Sequence, residues 1–293
     1  MSATESRVRT NEAPRFRPLQ RMRVLWRSRE VTANLATKEL KVRYKSSVLG
    51  VAWSMLNPLL YLVVFYVVFT FFLKNDIEDF PIYLLSGLLP WTLFSTGLAG
   101  ATTSVVDGAN LVTKVAFPPE TLPLATLRAQ LVNFLFQFIV LVAFLLVFGH
   151  PLLHRGVILV PMALVTLLLF TAALGFATAG WNVRYRDTGH LVELALLAWF
   201  WSTPIVYPAG LALENLGETG STLYLLNPLA NIVLSFQRGI YGGTSEEALA
   251  SLPAPGLRWY AFRLLILGAV SLGVLLLSWR SFYRRSGDFA EEL

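Results

Sequence analysis

The chain has 293 residues, of which 55% are apolar and only 14% are charged, with a formal net charge of +6. Its mean hydropathy of +0.58 excludes a soluble globular chain of this length, which needs far more surface charge. The lack of cysteine excludes disulfides, thiolate metal sites and thiol nucleophiles. Nor does the basic excess signify nucleic acid: half of the 24 Lys and Arg residues precede Gly50, as in a cytoplasmic segment that contacts anionic headgroups.

The Arg-rich residues 1–20 are expected to be disordered. Residues 21–50 predict a basic amphipathic helix lying along the cytoplasmic interface. Val24, Val31, Leu35, Val42 and Leu49 fall on a narrow arc at about 100° per residue, beside Arg23, Arg27, Lys41 and Lys45. The first apolar run starts after residue 50, too far along and too long for a cleavable signal peptide.

From there about six runs reach the length that crosses ~30 Å of hydrocarbon: residues 51–73, 81–106, 124–148, 156–181, 191–207 and 260–279. The first carries Tyr61, Phe65, Phe69 and Phe72 at i, i+4, i+8 and i+11, one aromatic face. Taken alone, such a stripe reads as packing or lipid contact as readily as ligand contact. Lys74, Asp76, Glu78 and Asp79 follow on the outer side. The second span aligns Gly97, Gly100, Ala101 and Ser104, small residues that let another helix approach closely.

Residues 107–123 form a cytoplasmic loop by parity, whose prolines end one helix and open the next. The third span places Gln130, Asn133 and Gln137 on one face, a pattern of helix-to-helix hydrogen bonding. Arg128, Glu193 and Arg263 lie near span ends and are expected to snorkel. Arg184 and Arg186 follow the fourth span, again on the inner side.

The fifth span is short and interrupted by Pro204 and Pro208, and residues 221–241 carry Asn227, Asn231, Gln237 and Arg238. These predict outer-side or re-entrant helices. A seventh crossing there would place Arg280, Arg284 and Arg285 outside, against the positive-inside rule. The expected fold class is thus an all-α integral membrane protein of six transmembrane helices, with both termini, including the tail 281–293, in the cytoplasm. His150, His154 and His190 lack ligand-spaced partners, so no metal site or catalytic residue is expected.

Several phrases, in order, resemble one family: KELKVRYKSSVLGVAWSMLNPLL (38–60), GLLPWTLFS (87–95), LVTKVAFPPETLPLATL (111–127), STPIVYP (202–208) and NPLANIVLSFQRGIYGG (227–243). The family is that of the membrane subunits of ABC-2 type exporters for lipid-linked polysaccharides, including O-antigen, teichoic acid and related cell-envelope glycans. The resemblance implies a bacterial plasma-membrane homodimer, and the small face of the second span offers a dimer surface. It also implies two copies of a separate nucleotide-binding ATPase and a glycan or polyol-phosphate polymer on a polyprenyl pyrophosphate lipid. The chain itself has no GxxxxGK[ST] phosphate loop and needs no cofactor, so ATP and Mg belong to the partner.

By the same resemblance, Lys114, Phe117, Pro118 and Pro119 form the ATPase-coupling protrusion, the prolines as stiffeners. Arg43, Tyr44 and Lys45 end a gate helix near the lipid headgroups, where basic side chains can bind the pyrophosphate. The conduit is associated with the first and fifth spans, which makes Tyr61, Phe65, Phe69, Phe72, Trp199 and Trp201 candidate lining residues. Three alternatives stand beside this reading: an ABC-2 exporter of a small drug or ion, a membrane enzyme acting on lipid-linked glycans, and a secondary transporter. The enzyme would need metal-binding carboxylates, and the nearest group, Asp76, Glu78 and Asp79, is explained as outside-facing charge. The secondary transporter would show an inverted repeat, which the sequence lacks.

Overall fold

The computed structural model describes residues 16–45, 47, 52–72, 77–115, 117–253 and 256–293, and every element among them is helical. Two short helices, α1 (Pro18–Arg27) and α2 (Arg29–Tyr44), precede α3 (Ala52–Tyr66), which continues as a π-helix over Val67–Phe72. The long α4 (Phe80–Asp107), the short α5 (Ala109–Lys114) and α6 (Thr121–Val147) follow, then α7 (Leu159–Arg184) and α8 (Thr188–Trp201). Four short helices come next: α9 (Ala209–Asn215), α10 (Gly217–Leu226), α11 (Pro228–Gly239) and α12 (Glu246–Ala250). The chain closes with α13 (Leu257–Arg285) and α14 (Phe289–Glu292).

Among the described residues, four helices are long and apolar enough to cross a membrane: α4, α6, α7 with the turn before it, and α13. Over its most apolar stretch α4 is 78% buried, against 33% for α6 and α7 and 17% for α13. α4 is therefore the centre of the bundle, and α13 gives most of its surface to the surroundings while packing on α7. α3 is interrupted by its π-helical end and α8 has only 14 residues.

The small residues of α4 pack within this chain. A Cβ on Gly97 would lie 3.2 Å from both Leu127 and Thr171, one on Gly100 2.7 Å from Thr126, and one on Gly175 of α7 2.9 Å from the Ala101 Cβ. The stripe is thus the seam joining α4 to α6 and α7, not an open dimer surface. Thr102 and Thr178 close the same seam with a hydroxyl–hydroxyl hydrogen bond of 2.7 Å. Of the polar face of α6, Gln130 Oε1 accepts from Thr96 Oγ1 of α4 at 3.3 Å, a helix-to-helix bond, and from Asn133 Nδ2 at 3.1 Å within α6.

After α8 the backbone leaves the helix over Ser202–Pro208, with Thr203 to Val206 buried. Irregular backbone buried in a protein requires partners for its polar groups, and here it has them. Tyr83 Oη donates to the Tyr207 carbonyl at 2.6 Å, Gln237 Nε2 to that of Pro204 at 2.8 Å, and Asn227 Nδ2 to that of Ser202 at 3.0 Å. Gln237 projects from α11, which is buried along its whole length from Leu229 to Gly239.

Arg263 does not snorkel. Its Nη1 donates to the Leu225 carbonyl at 2.9 Å and to Asn231 Oδ1 at 2.8 Å, while its guanidinium lies 4.4 Å over the Trp259 ring. It staples α13 to the α10–α11 corner. Arg128 and Glu193 are exposed. At the other end of α4, Asp79 adopts a left-handed conformation (φ 45°) and its carboxylate pairs with His150 Nε2 at 2.8 Å, which ties the start of α4 to the α6–α7 loop. His154 caps the next turn, its Nδ1 accepting from the Gly156 amide at 3.2 Å. Burial first, and the Arg238 guanidinium second, push this imidazole below its ordinary range, against a backbone hydrogen bond at Gly239 that raises it.

The basic segment is two helices meeting at Ser28. α2 lies along α6 through Ala36, Ala125 and Ala129, all fully buried. Of the apolar arc predicted for it, Val24, Val31 and Val42 are 36%, 41% and 63% exposed, while Leu35 packs against the buried clusters of the bundle. Residues 1–15, and Leu49 of that arc, lie outside the described residues.

Candidate substrate groove and coupling surface

A groove of about 580 Å³ runs between α3 and α8, with α4 as its floor. α3 contributes Tyr61 and Phe65, α4 contributes Leu88, Trp91, Thr92, Ser95 and Thr96, and α8 contributes Glu193, Leu196, Leu197, Phe200 and Trp201. Its aromatic rings form a chain. Tyr61 stacks on Phe65 at 6.2 Å, Phe65 on Phe200 at 6.2 Å, and Phe200 meets Trp91 and Trp201 edge-on, both at 5.4 Å. Tyr61 and Trp201 are each 56% exposed. The hydroxyls of Thr92, Ser95 and Thr96 line the floor; each donates within the bundle, Thr92 to the Leu88 carbonyl at 2.8 Å and Ser95 and Thr96 to that of Thr92 at 3.4 and 2.6 Å, so they meet a ligand as acceptors. Flat rings beside hydroxyls and one carboxylate suit a polyhydroxylated ligand: the rings meet apolar C–H faces and the polar groups meet hydroxyls.

Three of the predicted lining residues lie in this groove: Tyr61, Phe65 and Trp201. Phe69 turns toward α4 and stacks on Phe80 at 5.7 Å. Phe72 is 76% exposed and off the face, because the π-helical turn shifts the register that the i+11 spacing assumed. Trp199 packs between Phe94 at 5.3 Å and Phe170 at 5.9 Å and donates Nε1 to Asn227 Oδ1 at 2.9 Å, so it is a packing residue. The sequence-level expectation missed Trp91 and Phe200. The helical spacing of Glu193, Leu196, Leu197, Phe200 and Trp201 marks a common face of α8 that excludes Trp199, which is the signal that finds Phe200.

At the opposite end, α5 exposes Thr113, Lys114 and Val115. Phe117 faces inward, packed against a core cluster that includes Val105, Leu122, Phe176, Trp279, Phe282 and Phe289. It is an anchor of the protrusion, with Lys114 on its outer face. Pro118 and Pro119 start α6: the Pro118 carbonyl accepts from Thr121 N at 3.0 Å and Thr121 Oγ1 at 2.8 Å, and that of Pro119 from Leu122 N at 3.1 Å. Along α2, Asn34, Thr37, Lys38, Lys41, Val42 and Lys45 line a shallow open groove. Lys45, at the end of that stripe, is exposed, and the side chains of Arg43 and Tyr44 lie outside the described residues. No group of three or more acidic or histidine side chains fit to hold a metal exists among the described residues, and Asp76 lies outside them. Of that outer acidic group, Glu78 meets Ser245 and Asp79 meets His150.

The chain is thus a bundle of long apolar helices with an aromatic groove at one side and a short exposed helix, α5, at the end opposite the Ser202–Pro208 segment. Residues 31–241 match the ABC-2 type transporter family, and the chain belongs to it; it is a multi-pass membrane protein. It is 33% identical over 273 residues to the O-antigen export system permease protein RfbA of Myxococcus xanthus, covering 93% of this chain and 98% of that protein. It is 31% identical over 218 residues to the protein of the same name from Klebsiella pneumoniae, covering 74% of this chain and 83% of that one.

Proposed function

We propose that the chain is the permease subunit of an ATP-driven exporter that moves a polysaccharide, carried on a lipid pyrophosphate, out of the bacterial cytoplasm. The aromatic groove between α3 and α8 carries this reading, because stacked rings beside hydroxyls are the chemistry that holds sugar without holding it tightly. The names of the relatives, both permeases of O-antigen export, agree with it. The working assembly is a homodimer with two ATPase subunits, which supply ATP and Mg and press on the Lys114 face of α5. α3 with its π-helical end is the first of six spans, and α8 with the buried Ser202–Pro208 segment is the fifth. α9 to α12 then stay on the outer side, and both termini are cytoplasmic, with the basic α1 and α2, Arg184, Arg186 and Arg280 to Arg285 at the inner headgroups.

Purification of the tagged chain from native membranes in mild detergent tests this. A phosphate-loop ATPase and a lipid-linked glycan are expected in the eluate, and recovery of the chain alone after crosslinking sinks the exporter reading. Lys114→Glu is expected to reduce ATPase co-purification about tenfold, since an interface charge reversed against its complement opposes association; undiminished recovery removes Lys114 from the contact. The cationic stripe of α2 binds the pyrophosphate, so Arg43→Ala with Lys45→Ala is expected to lower export about tenfold through lost charge-assisted phosphate contacts. Normal export with normal insertion would leave these cations a purely topological role.

A further inference from the structure

Glu120 is fully buried, immediately after the Pro118–Pro119 pair and at the first turn of α6. Arg21 of α1 holds it through two bonds, Nε to Oε1 at 2.7 Å and Nη2 to Oε2 at 2.9 Å, and Trp279 of α13 donates Nε1 to Oε1 at 3.4 Å. The Arg21 guanidinium lies 4.4 Å over the Tyr283 ring, and Phe16 closes the box against Trp279 at 5.3 Å and Tyr283 at 5.6 Å. One carboxylate thus joins the segment below α5, the N-terminal helix and the end of the last long helix.

We propose that Glu120 is the positioning residue that makes the ATPase-facing segment and the basic helices α1 and α2 move as one body. Three observations carry this. α1 has no fully buried residue; Leu25 and, just ahead of the helix, Phe16 rest on the core cluster at its edge, and Arg21 adds the one directional contact, to Glu120. Val112 and Phe117, on either side of the exposed Lys114, sit on the same cluster as Trp279, Phe282 and Phe289, so force on Lys114 reaches Glu120 through packed side chains and two prolines. A buried ion pair is a poor source of stability compared with apolar side chains of the same volume, but it specifies one geometry, and the planar bidentate fork fixes the angle as well as the distance. In this chain the geometry it specifies is the position of the cationic stripe relative to α5.

The proposal rests on the exporter reading, and its test separates the two. The complete complex with its ATPase, reconstituted in liposomes, is assayed for glycan exported per ATP hydrolysed. Nitroxide labels on Glu30→Cys of α2 and Asn110→Cys of α5, both exposed sites in a cysteine-free chain, report the distance between the two elements. Wild type is expected to show one narrow distance with and without ATP. Glu120→Gln, which keeps the shape and loses the charge, is expected to hydrolyse ATP within about twofold of wild type while export per ATP falls about tenfold, a common size for coupling between two sites, and the label distance broadens. Unchanged export per ATP with an unchanged distance overturns the clasp and leaves the exporter standing; a wild-type complex without ATP-driven export overturns the exporter reading itself. If Glu120→Gln fails to accumulate, Arg21→Lys keeps the charge without the fork: a reduced export ratio upholds the proposal and a wild-type ratio removes it.

Discussion

Gly175→Leu is expected to prevent stable folding of the bundle. Even the first carbon of a side chain at this position lies 2.9 Å from the Ala101 Cβ, closer than two carbons approach without repulsion, and both residues are buried. α4 cannot back away, because its other faces hold α6 and α11 and because the Thr102–Thr178 hydrogen bond pins the same seam. Overpacking a tight core costs roughly 1–3 kcal/mol or more. In a membrane, close packing is itself the main force between helices, so the loss falls at the upper end of that range. Thermal unfolding of the purified variant in detergent checks it: Gly175→Ala is expected to lower Tm by several degrees and Gly175→Leu to leave little folded protein. A Gly175→Leu variant melting with wild type would mean that α4 and α7 do not meet as described.

Tyr61→Leu combined with Trp201→Leu is expected to cut glycan export about tenfold or more, the usual consequence of removing aromatic anchors worth roughly 1–2 kcal/mol at a contact. Both side chains are more than half exposed, so leucine retains the apolar character and removes the flat ring without opening a cavity. Stability is expected to stay within about 0.5 kcal/mol, as for other exposed substitutions. Phe72→Leu is the matched control: it is aromatic, on the same helical stretch and more exposed still, but off the groove, and its export is expected to equal that of wild type. Equal losses in both variants would mean that the effect arises from general contact with lipid. An unaltered rate in the double variant would remove the groove from the export path.

The two predictions draw on the sequence to different degrees. The Gly97–Gly100–Ala101 stripe is visible in the sequence, since small residues at helical spacing announce a close helix contact. Its partner is not, because an apolar face carries no label saying whether the neighbouring helix is in the same chain or in another copy. The aromatic stripe of the first span was legible down to Phe65 and failed at Phe69 and Phe72, both within a π-helical turn that no local residue announces and that changes the register. On α8 the resemblance pointed to both tryptophans, yet the face that lines the groove carries Phe200 and Trp201, and Trp199 is turned into the core, where it bonds Asn227.

By itself, the sequence determined the helical membrane class, the approximate positions of the long helices, the concentration of basic residues before the first apolar run and the phrases that mark the family. Each of these follows from composition, run length and order along the chain, quantities that do not depend on which helix lies beside which. Only the tertiary structure decided that Arg263 is a staple, that Phe117 is an anchor, that α2 lies on α6 through Ala36, and that Glu120 is clasped by Arg21 and Trp279 across 99 and 159 residues of sequence. The physical reason is the same throughout: a charge or a ring near a helix end costs little in water and much when buried, and whether it is buried depends on partners brought from distant parts of the chain.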